Sequence, residues 1–146
     1  MKLIVQRVNE ASVQIDDKVV ATIGIGILVL FGAKSSDGQT ETDWLCNKLI
    51  NLRIFNDLEG KMNLSVQDIK GEILVVPNFT LYANCKKGYR PSFINAAKPN
   101  ISEPLFDNFV NRLKSDSNLN IEKGQFGADM KVLLVNDGPV TIEIEK

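Results

Sequence analysis

The chain of 146 residues contains no histidine. That excludes a Ser-His-Asp triad, a Cys-His dyad and any histidine-ligated metal. A hydrolase made from this sequence has to work through geometry and backbone dipoles rather than a conventional imidazole base. Cysteine is nearly absent as well: Cys46 and Cys85 make no disulfide framework and no tetrahedral zinc set, and they fit a reducing compartment. Charge of either sign is not in excess, with 17 Lys and Arg against 18 Asp and Glu and a net charge of −1. A general polyanion binder carries a broad basic surplus, so only a local basic patch is compatible with this balance. Long hydrophobic runs are missing too. The stretch from Ile25 to Phe31, interrupted by Gly26, is far too short to span a bilayer. The opening Met1-Lys2-Leu3-Ile4-Val5-Gln6-Arg7 turns polar too early for a signal peptide. The expectation is a cytoplasmic protein without membrane contact, metal or cofactor.

The length suits one domain over residues 1–146, with no repeat and no internal boundary. Leu3 to Val8 reads as a strand broken by Asn9-Glu10, and Ser12 to Asp16 alternates as a half-buried strand does. Asp16-Asp17-Lys18 turns into Val19 to Ile23. Gly24-Ile25-Gly26 is no dinucleotide fingerprint, because Val29 stands at the third glycine position and more strand follows. A bend or bulge in a curved sheet accounts for these glycines. Thr40-Glu41-Thr42-Asp43 resembles a capping box. Trp44, Leu45, Leu49 and Leu52 then follow at helical spacing, with Cys46 as a small core residue. Ser65-Val66-Gln67-Asp68 is suited to cap a single turn. Ser102-Glu103-Pro104 opens a second helix with Leu105, Phe106, Phe109, Val110 and Leu113 on its buried stripe. Ile121 to Phe126, Met130 to Val135 and Val140 to Glu145 complete about eight strands. The pattern predicts an α+β domain whose curved, largely antiparallel sheet or barrel is covered by two main helices.

Three stretches invite a functional reading. Ile73 to Val76 is a solid apolar run, as in a strand buried on both faces, and Pro77 ends it. Asn78, Phe79 and Thr80 follow, either as a plain strand end with a turn or as polar groups held by a rigid element where a reaction centre needs them. The long loop from Ala83 to Asn100 holds Lys86, Lys87, Arg90 and Lys98 with Tyr89 and Phe93 interleaved. It is either a solvated basic loop or a contact for RNA phosphates and an unpaired base. Asn136-Asp137-Gly138-Pro139 carries the chemistry of a hairpin turn, although Pro139 is awkward in a returning strand that needs donors.

Asn78-Phe79-Thr80-Leu81, Gly88-Tyr89-Arg90-Pro91-Ser92-Phe93 and Asn136-Asp137-Gly138-Pro139-Val140-Thr141 resemble the signature motifs of the D-aminoacyl-tRNA deacylases. Gln6-Arg7-Val8, Arg53-Ile54-Phe55 and Gly60-Lys61-Met62-Asn63-Leu64 fall in the family's order and spacing, so the likeness covers essentially the whole chain. One departure stands out. Pro77-Asn78 replace the family's usual Ser-Gln, and a related animal deacylase with altered substrate choice also has proline at the first of these positions.

The resemblance implies hydrolysis of the ester joining a D-amino acid to the 3′-terminal adenosine of tRNA, and extends to glycine mischarged on tRNA(Ala). It assigns the backbone N–H groups of Phe79 and Thr80 to the oxyanion, and a nucleophilic or orienting role to the Thr80 hydroxyl. Without histidine nothing obvious deprotonates a threonine, which favours orientation, with water activated by the ribose 2′-hydroxyl. Asn78 takes the place of the family's glutamine. The resemblance further implies a homodimer in which a cis Gly138-Pro139 pair, held by Arg7, reaches the partner's active site and, beside Pro77, rejects L-side chains. Lys86, Lys87 and Arg90 are the expected tRNA contacts. Two other readings keep the fold: a non-catalytic dimer binding nucleic acid or a ligand, and an esterase for small substrates.

Overall fold

The computed structural model describes residues 1–146. Its elements in chain order are β1 (Lys2–Ile15), β2 (Lys18–Ile23), β3 (Gly26–Gly32), α1 (Gln39–Ile50), β4 (Phe55–Asn56), β5 (Met62–Leu64), β6 (Glu72–Pro77), a 3₁₀ turn (Phe79–Tyr82), α2 (Pro99–Asp116), β7 (Ile121–Lys123) and β8 (Lys131–Glu145). The main sheet is mixed. β1 pairs antiparallel with β2, β3 and β8, whereas β3–β6 and β6–β7 are parallel. The result is an α+β fold with a sheet nearly closed into a barrel and two helices against it, as the sequence pattern predicts.

Alternation along the central strands explains this closure. Ile27, Val29 and Phe31 of β3 and Ile73 and Val75 of β6 face a core shared with α1 and α2. Leu28 of β3 and Leu74 and Val76 of β6 face a second cluster with Val8, Ala11 and Val13 of β1. Both faces of β3 and β6 are therefore buried, which is why their sequences read as unbroken apolar runs. In the larger core Phe31 meets Phe106 and Phe109 of α2 at centroid distances of 5.6 and 5.2 Å. Each such side chain contributes about 1.5–3 kcal/mol by leaving water.

Several elements differ from the sequence expectation. β1 is one 14-residue strand that passes through Asn9-Glu10 without breaking. The cap of α1 is Gly38, whose N–H donates to Glu41 Oε2 at 2.9 Å, so the box lies two residues before Thr40. Trp44 is 39% exposed and stands off the buried stripe, which Cys46 and Ile50 join instead. α2 begins at Pro99, not Ser102, leaving Pro104 inside the helix. Pro99 pre-sets the first-turn backbone angle, and Pro104 deprives only the carbonyl near the helix start of a donor. β7 stops at Lys123, short of Phe126.

The largest difference is in β8. Asn136 to Pro139 is no hairpin turn, because the chain keeps its direction and both flanking segments pair antiparallel with the same strand, β1. Gln6 pairs with Thr141 and Val8 with Asn136, so the four residues Asp137 to Val140 stand opposite Arg7 alone. This is a wide bulge in a single 15-residue strand.

Gly26 fixes the approach of β3 to β6. A Cβ built on it would lie 1.9 Å from the Glu72 carbonyl oxygen, whereas one on Gly24 would meet nothing nearer than 3.9 Å. Gly26→Ala is expected to cost about 1–3 kcal/mol or more by overpacking. Gly24→Ala should stay within about 0.5 kcal/mol. Urea denaturation of the two variants checks the contrast.

Candidate active site

The parallel partner of β6 positions the first feature. The Asn78 N–H donates to the Phe31 carbonyl at 2.7 Å as β6 ends, and the chain then winds into the 3₁₀ turn. This turn sits on Gly32, where a Cβ would come within 3.1 Å of Leu81 Cβ and 3.2 Å of the Asn78 carbonyl. The Asn78 side chain caps the turn: its Oδ1 accepts from the Thr80 N–H at 3.2 Å and also from the Thr80 hydroxyl. The Phe79 amide, at the start of the turn, has no acceptor within it. Asn78, Phe79 and Thr80 are thus brought together, and Phe79 and Thr80 are exposed.

Beside them opens a cavity of about 520 Å³. Its walls include Pro77, Asn78 and Phe79, with Phe31, Phe93 and Met130 from other parts of the chain. Phe79 and Phe93 meet edge to face at 5.2 Å. Lys98 and Ser102 add polar groups from the start of α2. The volume and the apolar lining with few polar groups are those of a small-molecule or nucleoside site. Phe31, Phe126 and Met130 were not legible as site residues, since Phe31 comes from β3 and the other two from the β7–β8 connection, and each reads locally as core.

Gly138 and Pro139 lie on neither this cavity nor the groove next to it. Their peptide bond is cis, and both residues are exposed at the crest of the β8 bulge. Gly138 has φ +120°, and a Cβ there would stand 2.9 Å from both Arg7 Nη2 and Val140 Cγ2, so only glycine fits. Two braces hold the bulge. Asn136 Nδ2 donates to the carbonyls of Arg7 at 2.9 Å and Val140 at 3.0 Å. Arg7, buried, donates through Nη1 to the Ile54 carbonyl at 2.6 Å and pairs through Nε with Asp137 at 2.8 Å. The Nε–H is off the line to that oxygen, so the contact is an ion pair rather than a linear hydrogen bond.

Of the basic loop residues, Lys86 lines a groove with Lys2 and Lys34, while Lys87 and Arg90 are exposed. Tyr89 is fully exposed, and Phe93 alone of the loop's two aromatic residues reaches the cavity. Cys46 is buried, and burial pushes its thiol up to about 12, which keeps it an inert core residue. No three His, Cys, Asp or Glu side chains gather into a metal site.

Comparison with known proteins covers nearly the whole chain. The family described as D-Tyr-tRNA(Tyr) deacylase matches residues 4–145. A D-aminoacyl-tRNA deacylase of Flavobacterium psychrophilum is 55% identical over 99% of this chain and 97% of its own. That of Bacteroides thetaiotaomicron is 54% identical over 97% and 95%. A solved structure named c-Myc DNA Unwinding Element Binding Protein superposes with a TM-score of 0.95 at 41% identity, covering 100% of this chain and 99% of that one. A eukaryotic chain studied as a D-amino acid tRNA deacylase candidate shares the fold at a TM-score of 0.78 and 18% identity, covering 98% of each. The chain belongs to the D-Tyr-tRNA(Tyr) deacylase family. Its activity is that of a hydrolase of ester bonds, a D-aminoacyl-tRNA deacylase, with tRNA as the implied substrate.

The braces on the bulge are open to test. Arg7→Met removes a charged donor from the Ile54 carbonyl and strands Asp137, and is expected to cost about 1.5–3 kcal/mol. Asp137→Asn should cost less, because the carboxamide oxygen keeps a neutral acceptor beside the guanidinium and the Ile54 carbonyl bond remains. Chemical denaturation of both variants measures the difference.

Proposed function

We propose that the Phe79–Thr80 turn is the oxyanion site of this deacylase and that the neighbouring aromatic cavity receives the terminal adenosine with its D-aminoacyl group. The observation that carries this reading is the Asn78 cap. It holds the Thr80 amide and hydroxyl in one place, one residue beyond the cavity wall that Asn78 and Phe79 form, beside a Phe79 amide without a partner in the turn. Water attacks the ester carbonyl carbon, the oxygen of the tetrahedral intermediate takes hydrogen bonds from the two amides, and the bond to the ribose oxygen breaks as that oxygen takes up a proton. A well-aimed oxyanion donor is worth roughly 2.7–4 kcal/mol. The substrate's ribose 2′-hydroxyl helps to position and activate the water, and Thr80 orients the ester.

Handedness is assigned to the bulge. In a homodimer, Gly138 and Pro139 of one copy complete the cavity of the other and close it to L-side chains, with Pro77 on the opposite wall. Three features support this: the pair is exposed, it is rigidly braced, and it lies away from its own cavity. Leu133 and Val135, half-exposed on the same strand, offer apolar surface for the contact. Glycyl-tRNA lacks a side chain to reject, so the same site accepts it. Cytoplasmic tRNA is the proposed partner, and Lys86, Lys87 and Arg90 are its proposed contacts. The name of the 41% identical structure favours a second reading, a nucleic-acid-binding dimer without catalysis.

The deciding assay is release of tyrosine from matched D- and L-tyrosyl-tRNA, with mass measured by light scattering. D-specific release by a dimer is the expected result. Equal release of both enantiomers removes the chiral wall, a monomer removes the dimer, and nucleic-acid binding without release establishes the second reading. Thr80→Ala should lose far less than the roughly 10⁶-fold that removing a nucleophile costs, and 2′-deoxyadenosine substrates should be cleaved more slowly. An acyl adduct trapped on Thr80 would make it the nucleophile instead.

A further inference from the structure

On the other side of the 3₁₀ turn from the aromatic cavity lies a polar groove of about 510 Å³. Three stretches of chain wall both spaces. Gly32 and Ala33 line the cavity and Lys34 the groove; Asn78 and Phe79 line the cavity and Leu81 and Tyr82 the groove; Phe93 and Ala96 line the cavity and Asn95 the groove. The two are therefore neighbours across a ridge one turn of chain wide.

The groove carries three ammonium groups, those of Lys2, Lys34 and Lys86, against the single carboxylate of Glu145. Lys2 is fixed between Glu143 and Glu145 at 3.2 Å from each, and its ammonium lies 5.6 Å from the centre of the Tyr82 ring. The Tyr82 hydroxyl donates to Glu145 at 3.3 Å. Lys34 is only loosely held, 4.0 Å from both Asp37 and Glu145. Lys86 has no carboxylate partner, yet its backbone is set: its N–H donates to Asn84 Oδ1 at 3.0 Å, and Asn84 is tied to Ser92 by a pair of backbone bonds at 2.7 and 3.0 Å. Three lysines against Glu143 and Glu145 leave a surplus of one positive charge, presented by the unpaired Lys86 and the loosely held Lys34. In a chain of net charge −1 that surplus is local.

We propose that this groove is a track for the phosphodiester backbone of the single-stranded RNA end whose last nucleoside occupies the aromatic cavity, with Lys34 and Lys86 as its phosphate contacts. The proposal rests on the reading of the cavity given above. A single strand is held by backbone charge plus base stacking, and the groove and the cavity supply these separately, side by side. The strand then reaches the reaction centre from the Lys86 side of the turn. Exposed Lys87 and Arg90 lie off this track.

The test is direct binding of a short, labelled single-stranded RNA ending in adenosine and carrying no aminoacyl group, read by fluorescence anisotropy across a salt series. Lys34→Gln with Lys86→Gln should weaken binding by about fivefold or more and reduce the salt slope by about 1.4, roughly 0.7 for each phosphate of a single strand that is left without its lysine. Lys61→Gln, in an exposed pair with Glu59, should leave affinity unchanged. Neutral methylphosphonate links next to the 3′ end should weaken binding to the unaltered protein equally, with no further loss in the double variant. Inorganic phosphate at the same concentration should not compete. Unchanged affinity or slope in the double variant, additive losses from the neutral links, or competition by inorganic phosphate would each overturn the track. Cleavage of D-tyrosyl-adenosine, which has no strand to bind, reports on the activity alone. Lysine-dependent RNA binding without that cleavage would leave the track standing and refute the reading of the cavity.

Discussion

Arg7 is the point on which the strand pairing turns. A guanidinium 7% exposed needs partners for its charge, and it finds them in the Ile54 carbonyl and Asp137. Asp137 reaches it only because β8 bulges there. At the same place β1 changes the core it serves, from Leu3 and Val5 in the helix-side cluster to Val8, Ala11 and Val13 in the other. A second irregularity accompanies the switch, since Val8 pairs with Asn136 and Glu10 with Val135, leaving Asn9 as the extra residue on β1. The two strands are thus out of step together. Asn136 bridges the gap by donating to carbonyls on both sides of it. The exposed Gly138–Pro139 crest is the outward consequence of a buried charge being satisfied.

This coupling explains what could be read from the sequence. Local periodicity showed β3, β6 and the buried stripe of α2, because their burial follows from residues within each segment. Pro77 marked the end of β6 for a chemical reason, its missing donor, and the candidate site begins at that end. Asn136-Asp137-Gly138-Pro139 misled because turn chemistry serves a bulge as well as a hairpin. The two differ only in whether the following strand pairs with the preceding one or with β1, and that choice is made more than 100 residues away in sequence. Phe31, Phe126 and Met130 around the cavity, and Lys2 and Lys34 in the groove, were hidden for the same reason. Each has an ordinary local context, and only the fold makes them neighbours.

Charge placement near the groove shows a balance between burial and pairing. The Met1 ammonium is buried 2.7 Å from Asp37, and burial holds its pKa below the usual value despite the pull of that carboxylate. Asp37 Oδ2 also accepts from the Lys34 N–H at 2.8 Å, which anchors the backbone of a groove lysine. Burial works against ionisation of Glu145, but the hydrogen bond and charge of Lys2, with Lys34 and the Tyr82 hydroxyl, outweigh it and keep the carboxyl below its ordinary range. Burial, with the charges of Asp37 and Glu145, drives the Tyr82 phenol upward, so it stays a neutral donor. The carboxylates are therefore spent on positioning Lys2 and the Lys34 backbone, which leaves the Lys34 and Lys86 ammoniums available.

The Asn78 cap poses the one apparent conflict in the site, since the Thr80 amide proposed for the oxyanion already donates to Asn78 Oδ1. Magnitudes resolve it. A neutral hydrogen bond between an amide N–H and a carboxamide contributes a net of about 0.5–1.5 kcal/mol. The same donor aimed at a developing oxyanion is worth roughly 2.7–4 kcal/mol. Exchange of the carboxamide for the oxyanion is therefore favourable when negative charge forms, whereas the weakly charged carbonyl of the ground-state ester gains little by it. Such a donor is held in its working direction by a partner that the transition state can displace and the substrate cannot, which is the differential binding that catalysis requires. Because Asn78 is anchored through its own N–H to Phe31, its side chain can release Thr80 while the strand end stays in place. In the proposed mechanism the preorganised turn then supplies by position part of the stabilisation that an imidazole supplies in other hydrolases.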